Sequence, residues 1–125
     1  MNKSDFKVGQ TVYIRIIPGS NAARSQSDKD PLKWVFARKV KSIGRKYISL
    51  DDGLYDIRFN ISDFKHENLE YEVFLTEEAA VDKAKAVSVG LGISQKLVKH
   101  VSWWNTDISY TDLMTINGIL DKYEK

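Results

Sequence analysis

Glu70-Tyr71-Glu72-Val73-Phe74-Leu75-Thr76-Glu77-Glu78-Ala79-Ala80-Val81-Asp82-Lys83-Ala84 holds two periodicities in one stretch. Up to Leu75, the apolar side chains Tyr71, Val73 and Leu75 recur at every second position, the period of a strand with one buried face. From Thr76 onward Ala80, Val81, Ala84 and Val87 fall at helical spacing instead. The Thr76 hydroxyl can accept from the free N–H groups of a first turn, and Glu77 and Glu78 meet the positive end of the helix dipole. The junction separates a β N-terminal part from a helical C-terminal part.

Working back from the junction, Leu54–Ile61 alternates with Tyr55, Ile57, Phe59 and Ile61 on one face and Asp56, Arg58 and Asn60 on the other. Asp51-Asp52-Gly53 before it, and Gly44-Arg45-Lys46 before Tyr47–Leu50, carry the residues that hairpin turns require. Lys33–Ile43 is a strand with a phase error, and a bulge near Arg38-Lys39 would bring Val35, Ala37 and Val40 onto one face. Thr11–Ile17 alternates cleanly behind the lead Phe6-Lys7-Val8-Gly9-Gln10 and stops at Pro18-Gly19. Between Pro18 and Leu32 lies a long polar loop, a length that usually serves function or is disordered. Val12, Ile14, Ile57, Phe59, Ile61 and Val73 are the expected core.

Working forward, Gly90-Leu91-Gly92 is expected to break or kink the first helix. Ser94 would recap a second piece carrying Leu97, Val98, Val101 and Trp104 on one stripe. Ser109-Tyr110-Thr111-Asp112 reads as a capping box with Asp in place of Glu, ahead of Leu113, Ile116, Leu120 and Tyr123 on a last helix. The fold class that follows is α+β, a small antiparallel β-barrel of four or five strands over residues 1–75 and two or three helices over 76–125, in a single domain.

The chain has 125 residues and no cysteine, which removes disulfides, thiolate metal sites and cysteine nucleophiles. Only His66 and His100 remain as histidines, the first in a polar connection where a solvated loop residue is expected, the second at a helix boundary. No phosphate-binding loop, paired carboxylates, Ser–His arrangement or metal motif is present, so no catalytic or metal-ligating residue, no cofactor and no small-molecule substrate is expected. No apolar run reaches the ~20 residues of a membrane span, and the N-terminus has no hydrophobic signal core, so a cytoplasmic location is the expectation.

The net charge of +2 hides a division: residues 1–65 hold 13 Lys/Arg against 7 Asp/Glu, residues 66–125 hold 6 against 10. In the basic part Arg38, Lys39 and Lys41 lie on a strand, Arg45 and Lys46 on the next turn, and Arg24, Lys29 and Lys33 in the long loop, with Trp34, Phe36 and Tyr47 interleaved. Cations beside aromatic rings suit backbone tracking and base stacking on nucleic acid, and Arg24, Arg38, Arg45 and Lys46 would then converge on one face. The competing reading places Trp34 and Phe36 in the core and leaves the lysines to blunt strand edges. Trp103 and Trp104, about 100° apart on a helix, divide into one expected core residue and one expected anchor for a protein partner.

The stretches Phe6-Lys7-Val8-Gly9-Gln10-Thr11-Val12-Tyr13, Asn21-Ala22-Ala23-Arg24, Ala37–Ile48 with its Gly44-Arg45-Lys46-Tyr47 turn, and Val73-Phe74-Leu75-Thr76-Glu77-Glu78-Ala79 together resemble a group of small phage and prophage proteins of Gram-positive bacteria. The resemblance covers residues 6–79. It implies an SH3-like β-barrel followed by a helix, and a phage accessory protein active in the host cytoplasm, with no catalytic residue to carry over. The reading that results is a non-enzymatic binding protein whose basic face contacts nucleic acid or a nucleic-acid enzyme. The alternative is a protein–protein inhibitor of a bacterial defence system, of the anti-CRISPR kind.

Overall fold

The computed structural model describes residues 1–124, which fall into two units, Met1–Ser88 and the described residues from Val89 onward. In the first unit β1 (Thr11–Ile16), β2 (Val35–Ile43), β3 (Tyr47–Asp52), β4 (Tyr55–Asn60) and β5 (Tyr71–Phe74) form one antiparallel sheet in the order β4-β3-β2-β1-β5. The sheet curls into a half-barrel, and residues 65 and 66 bridge its two outer strands. His66 pairs with Phe59 of β4 and Lys65 with Glu72 of β5. The fold is α+β, with the strands ahead of the helices as the change of period at Thr76 requires.

The concave face buries Val12, Ile14, Val40, Ile48, Leu50, Ile57, Phe59 and Val73, closed at one end by Phe6, whose ring stacks on Phe64 at 5.5 Å. Five of the six expected core residues are buried, and Ile61 packs half-buried against them. Two register expectations are corrected. Tyr55 is 79% exposed, because it pairs with Asp52 at the hairpin end, beyond the reach of the core. In β2 the inner face carries Phe36 and Val40, while Ala37 is exposed and Val35 half-buried. The bulge lies between Val40 and Ser42, leaving Lys41 unpaired and not Arg38 or Lys39. An extra residue there lets both Val40 and Ile43 face inward.

The loop after β1 is better ordered than its composition suggests. Asn21–Arg24 forms a short helix, α1, capped by Ser20, and Pro31–Lys33 forms a 3₁₀ turn capped by Asp30. A second small core of Ile16, Ala23 and Trp34 anchors both pieces, and the Trp34 indole N–H donates to the Asp28 carbonyl at 2.7 Å.

His66 is not the solvated histidine that its polar neighbours suggest. It is buried, with its ring edge-on to Phe59 and Tyr71, and its Nδ1 accepts from the backbone N–H groups of Asn68 and Glu70, both at 3.3 Å. Burial lowers its pKa, only partly offset by Glu70 and Glu67, and a proton on Nδ1 would displace both N–H donors. The unfolded chain therefore binds a proton more readily than the folded one. This contribution to stability is complete above the unfolded histidine pKa of about 6.5 and is lost as pH falls below it toward the folded pKa. Thermal melts between about pH 7 and about pH 5.5 are expected to show a falling Tm, and the fall is expected to be smaller in His66→Asn, whose amide oxygen accepts without titrating. An equal fall in both proteins would remove His66 as the cause.

α2 runs without interruption from Glu77 to His100, capped by the Thr76 hydroxyl, which accepts from the Ala79 N–H at 3.2 Å. Gly90 and Gly92 do not break it, nor does Ser94 start a new helix. Glycine weakens a helix by about 1 kcal/mol against alanine but keeps its N–H in the helical ladder, whereas proline removes that donor and clashes with the carbonyl four residues back. Ala80 and Ala84 are the buried residues of α2.

In the second unit the chain leaves the helix at His100 and reverses. Val101 bridges Thr106, the Ser102 N–H donates to the Asn105 carbonyl at 2.8 Å, and His100 Nδ1 meets the Asp107 carboxylate at 3.0 Å. Trp103 and Trp104 occupy the apex of that turn, 95% and 69% exposed, so neither is core. Ser102 and Asn105 offer side-chain oxygens that compete with helical hydrogen bonds, which is why the apolar stripe through Val101 and Trp104 does not continue the helix. α3 (Tyr110–Asp121) follows, its first turn capped by Ser109 as expected.

Candidate nucleic-acid interface

The convex side of the sheet positions the basic residues. β2, β3 and β4 send alternate side chains outward, and there Lys39 lies opposite Thr11, Ser49 opposite Arg58, and Tyr47 opposite Asn60. The turn Gly44-Arg45-Lys46 is held by the Gly44 N–H donating to the Tyr47 carbonyl at 2.9 Å and by the Ile61 N–H donating to the Lys46 carbonyl at 2.9 Å. Tyr47, at the end of this turn, lies beside two cations. The Arg58 guanidinium carbon lies 4.8 Å and the Lys46 ammonium 5.5 Å from its ring centroid, both within cation–π range.

Neutralisation separates these cations into two groups. Arg58 forks onto Glu67, Lys41 onto Asp56, Arg38 onto Asp52 and Lys33 onto Asp28, at 2.7–3.3 Å. The hydrogen bond from Lys41 to Asp56 raises the lysine pKa, and the Asp30 backbone N–H with Lys33 beside it lowers that of Asp28. Lys39, Arg45 and Lys46 are exposed and, among the described residues, have no carboxylate within ion-pair distance. A phosphate can approach these three without first breaking an existing ion pair.

The other expected site residues are distributed differently. Trp34 is buried in the small core and has no free face for stacking. Arg24 and Lys33 flank the start of β2, whereas Arg45 and Lys46 follow its end, a strand of nine residues and about 26 Å if straight. Among Arg24, Arg38, Arg45 and Lys46, Arg38 lies over the Phe36 ring and Lys46 over the Tyr47 ring, so these two serve different aromatic side chains. Arg38 shares the inner parity of β2, over the Phe36 ring at 5.4 Å. Lys46 and Tyr47 do meet, with Arg45 preceding them in the same turn, and are joined by Arg58, which the sequence reading left as an ordinary outward strand residue. Its signal was its place two residues from Asn60, the cross-strand partner of Tyr47.

A second feature of the same unit was not legible at all. An apolar groove of about 520 Å³ is lined by Ile17, Phe64, Leu69, Tyr71, Phe74 and Leu75, among others. Two of its lining residues, Phe64 and Leu69, have φ of 56° and 55°, the left-handed region that bulky residues adopt only under constraint.

No helix among the described residues is long and apolar enough to cross a membrane, and none of their His, Asp and Glu side chains cluster as a metal site would require. Comparison with curated proteins and with solved structures returned no match. Comparison with family models returned one that spans residues 1–123, nearly the whole chain. On that match, the chain belongs to the family described as the Phage ProQ C-terminal-like domain.

Proposed function

We propose that this phage-associated domain is a non-enzymatic binding module that contacts nucleic acid through the convex face carrying Lys39, Arg45, Lys46 and Tyr47. The observation that carries the reading is Lys46, exposed, without a carboxylate partner and over the Tyr47 ring beside Arg58, with the unpaired Arg45 next to it in the turn and the unpaired Lys39 farther along β2. Phosphate contacts of this kind supply sequence-independent affinity, and a face of the Tyr47 ring offers a base a surface to stack on. Replacing Arg45 and Lys46 together by glutamine is expected to weaken binding to all oligonucleotides alike. The slope of log affinity against log salt should flatten by about 1.8 on duplex DNA or about 1.4 on single strands. Absence of binding by the wild type to DNA and RNA at about 50 mM salt, where attraction between charges is exaggerated, would end this reading.

A second reading, inhibition of a host defence protein, is favoured by the apolar groove of the half-barrel. Its lining of aromatic and aliphatic side chains suits a protein anchor and offers little to a phosphate. Under this reading the wild type binds no oligonucleotide, and Leu69→Glu abolishes complex formation with the host protein.

A further inference from the structure

None of the described residues from Val89 onward is buried, yet this segment is rich in large apolar side chains. Leu91 and Val98 lie seven residues apart on one face of α2, and Val98 is 77% exposed; Met114, Ile119 and Leu120 of α3 are each at least half exposed. Monomeric proteins rarely leave such a surface to water. A piece of about 40 residues or fewer is usually completed by disulfides, a metal or association. Cysteine is absent from the chain, and no metal-holding cluster occurs among the described residues.

Charge selects the occupant. From Val89 to His100 the segment carries Lys96 and Lys99 and no acid; from Val101 to Glu124 it carries Asp107, Asp112, Asp121 and Glu124 against Lys122. An anionic membrane or a nucleic acid would require an excess of cations, which is missing. In a two-fold pair, where a contact from one residue to another is repeated in reverse, the basic α2 half of one chain meets the acidic α3 of the other twice. A stable interface takes about 20–30 residues from each side, which a helical pair of this length supplies. We infer that Val89–Glu124 is the interface of a homodimer, the exposed apolar faces of α2 and α3 pairing with those of a second copy of this chain. The inference is independent of the nucleic-acid reading, which rests on the other unit.

Analytical ultracentrifugation of the full chain without nucleic acid, from about 1 to about 100 µM, is the test, since a dimer dissociates on dilution. A dimer mass at the upper end is expected for the wild type. Leu91→Glu with Val98→Glu should be monomeric throughout, with far-UV circular dichroism unchanged. Lys96→Glu with Lys99→Glu should weaken the dimer at least tenfold, about 1.4 kcal/mol, and adding Asp112→Lys with Asp121→Lys should restore it. If the apolar variant loses helix, the charge exchange decides alone. A wild type that stays monomeric at about 100 µM, an apolar variant that folds and still dimerises, or a charge exchange without effect would each overturn the inference.

Discussion

Phe59→Ala is expected to cost about 3–5 kcal/mol of folding free energy in denaturant titration, the usual range for an emptied aromatic core site. Phe59 is fully buried on β4, opposite Ile48, with the His66 ring edge-on at 5.8 Å. Its loss removes apolar contact from the sheet and from the segment that bridges β4 to β5. Against a typical total of about 5–15 kcal/mol, this is a large share of the stability. A measured loss below about 1 kcal/mol would mean that the core does not depend on this ring.

Trp34→Ala is expected to fall in the same range of about 3–5 kcal/mol but to act through a different region. Trp34 closes the small core with Ile16 and Ala23, and its indole N–H holds the Asp28 carbonyl. Without it, α1 and the 3₁₀ turn lose their shared anchor, and residues 18–33 should become the first site of cleavage in limited proteolysis. Trp34→Phe, which keeps apolar volume and removes the N–H, should recover most of the stability and less of the protease resistance. Wild-type resistance in Trp34→Ala would show that the loop is held elsewhere.

These two residues mark what the sequence could and could not show. Phe59 was legible because its strand alternates without error and both flanking turns carry Gly or Asp. Thr76 and Ser109 were legible as caps because their chemistry is local, an oxygen within reach of an N–H three residues on. Trp34 was ambiguous because its partners Ile16 and Ala23 lie 18 and 11 residues away, and no periodicity connects them. His66 was misread for a similar reason. Its polar neighbours suggested solvent, while Phe59 and Tyr71 enclose it from two different strands. At the candidate interface the cations were all visible, but not the acids that cancel them. Asp52, Asp56 and Glu67 reach Arg38, Lys41 and Arg58 across hairpins, and only the register decides which charges stay free.

The strand order also bears on how the chain folds as it is made. β1 to β4 form an uninterrupted meander, so each new strand finds its partner already synthesised next to it. The other edge of β1 waits for β5: Arg15 on that edge bonds Glu72, 57 residues later, at 3.0 Å. At about 5–20 residues per second, translation leaves that edge unpaired for about 3–11 s after β1 appears. Arg15 sits in the middle of this waiting edge, and a desolvation-averse charge there discourages the wrong strand from pairing with it first. Arg15 thus has a second role in time: unpaired, it guards the unfinished sheet until Glu72 arrives to neutralise it.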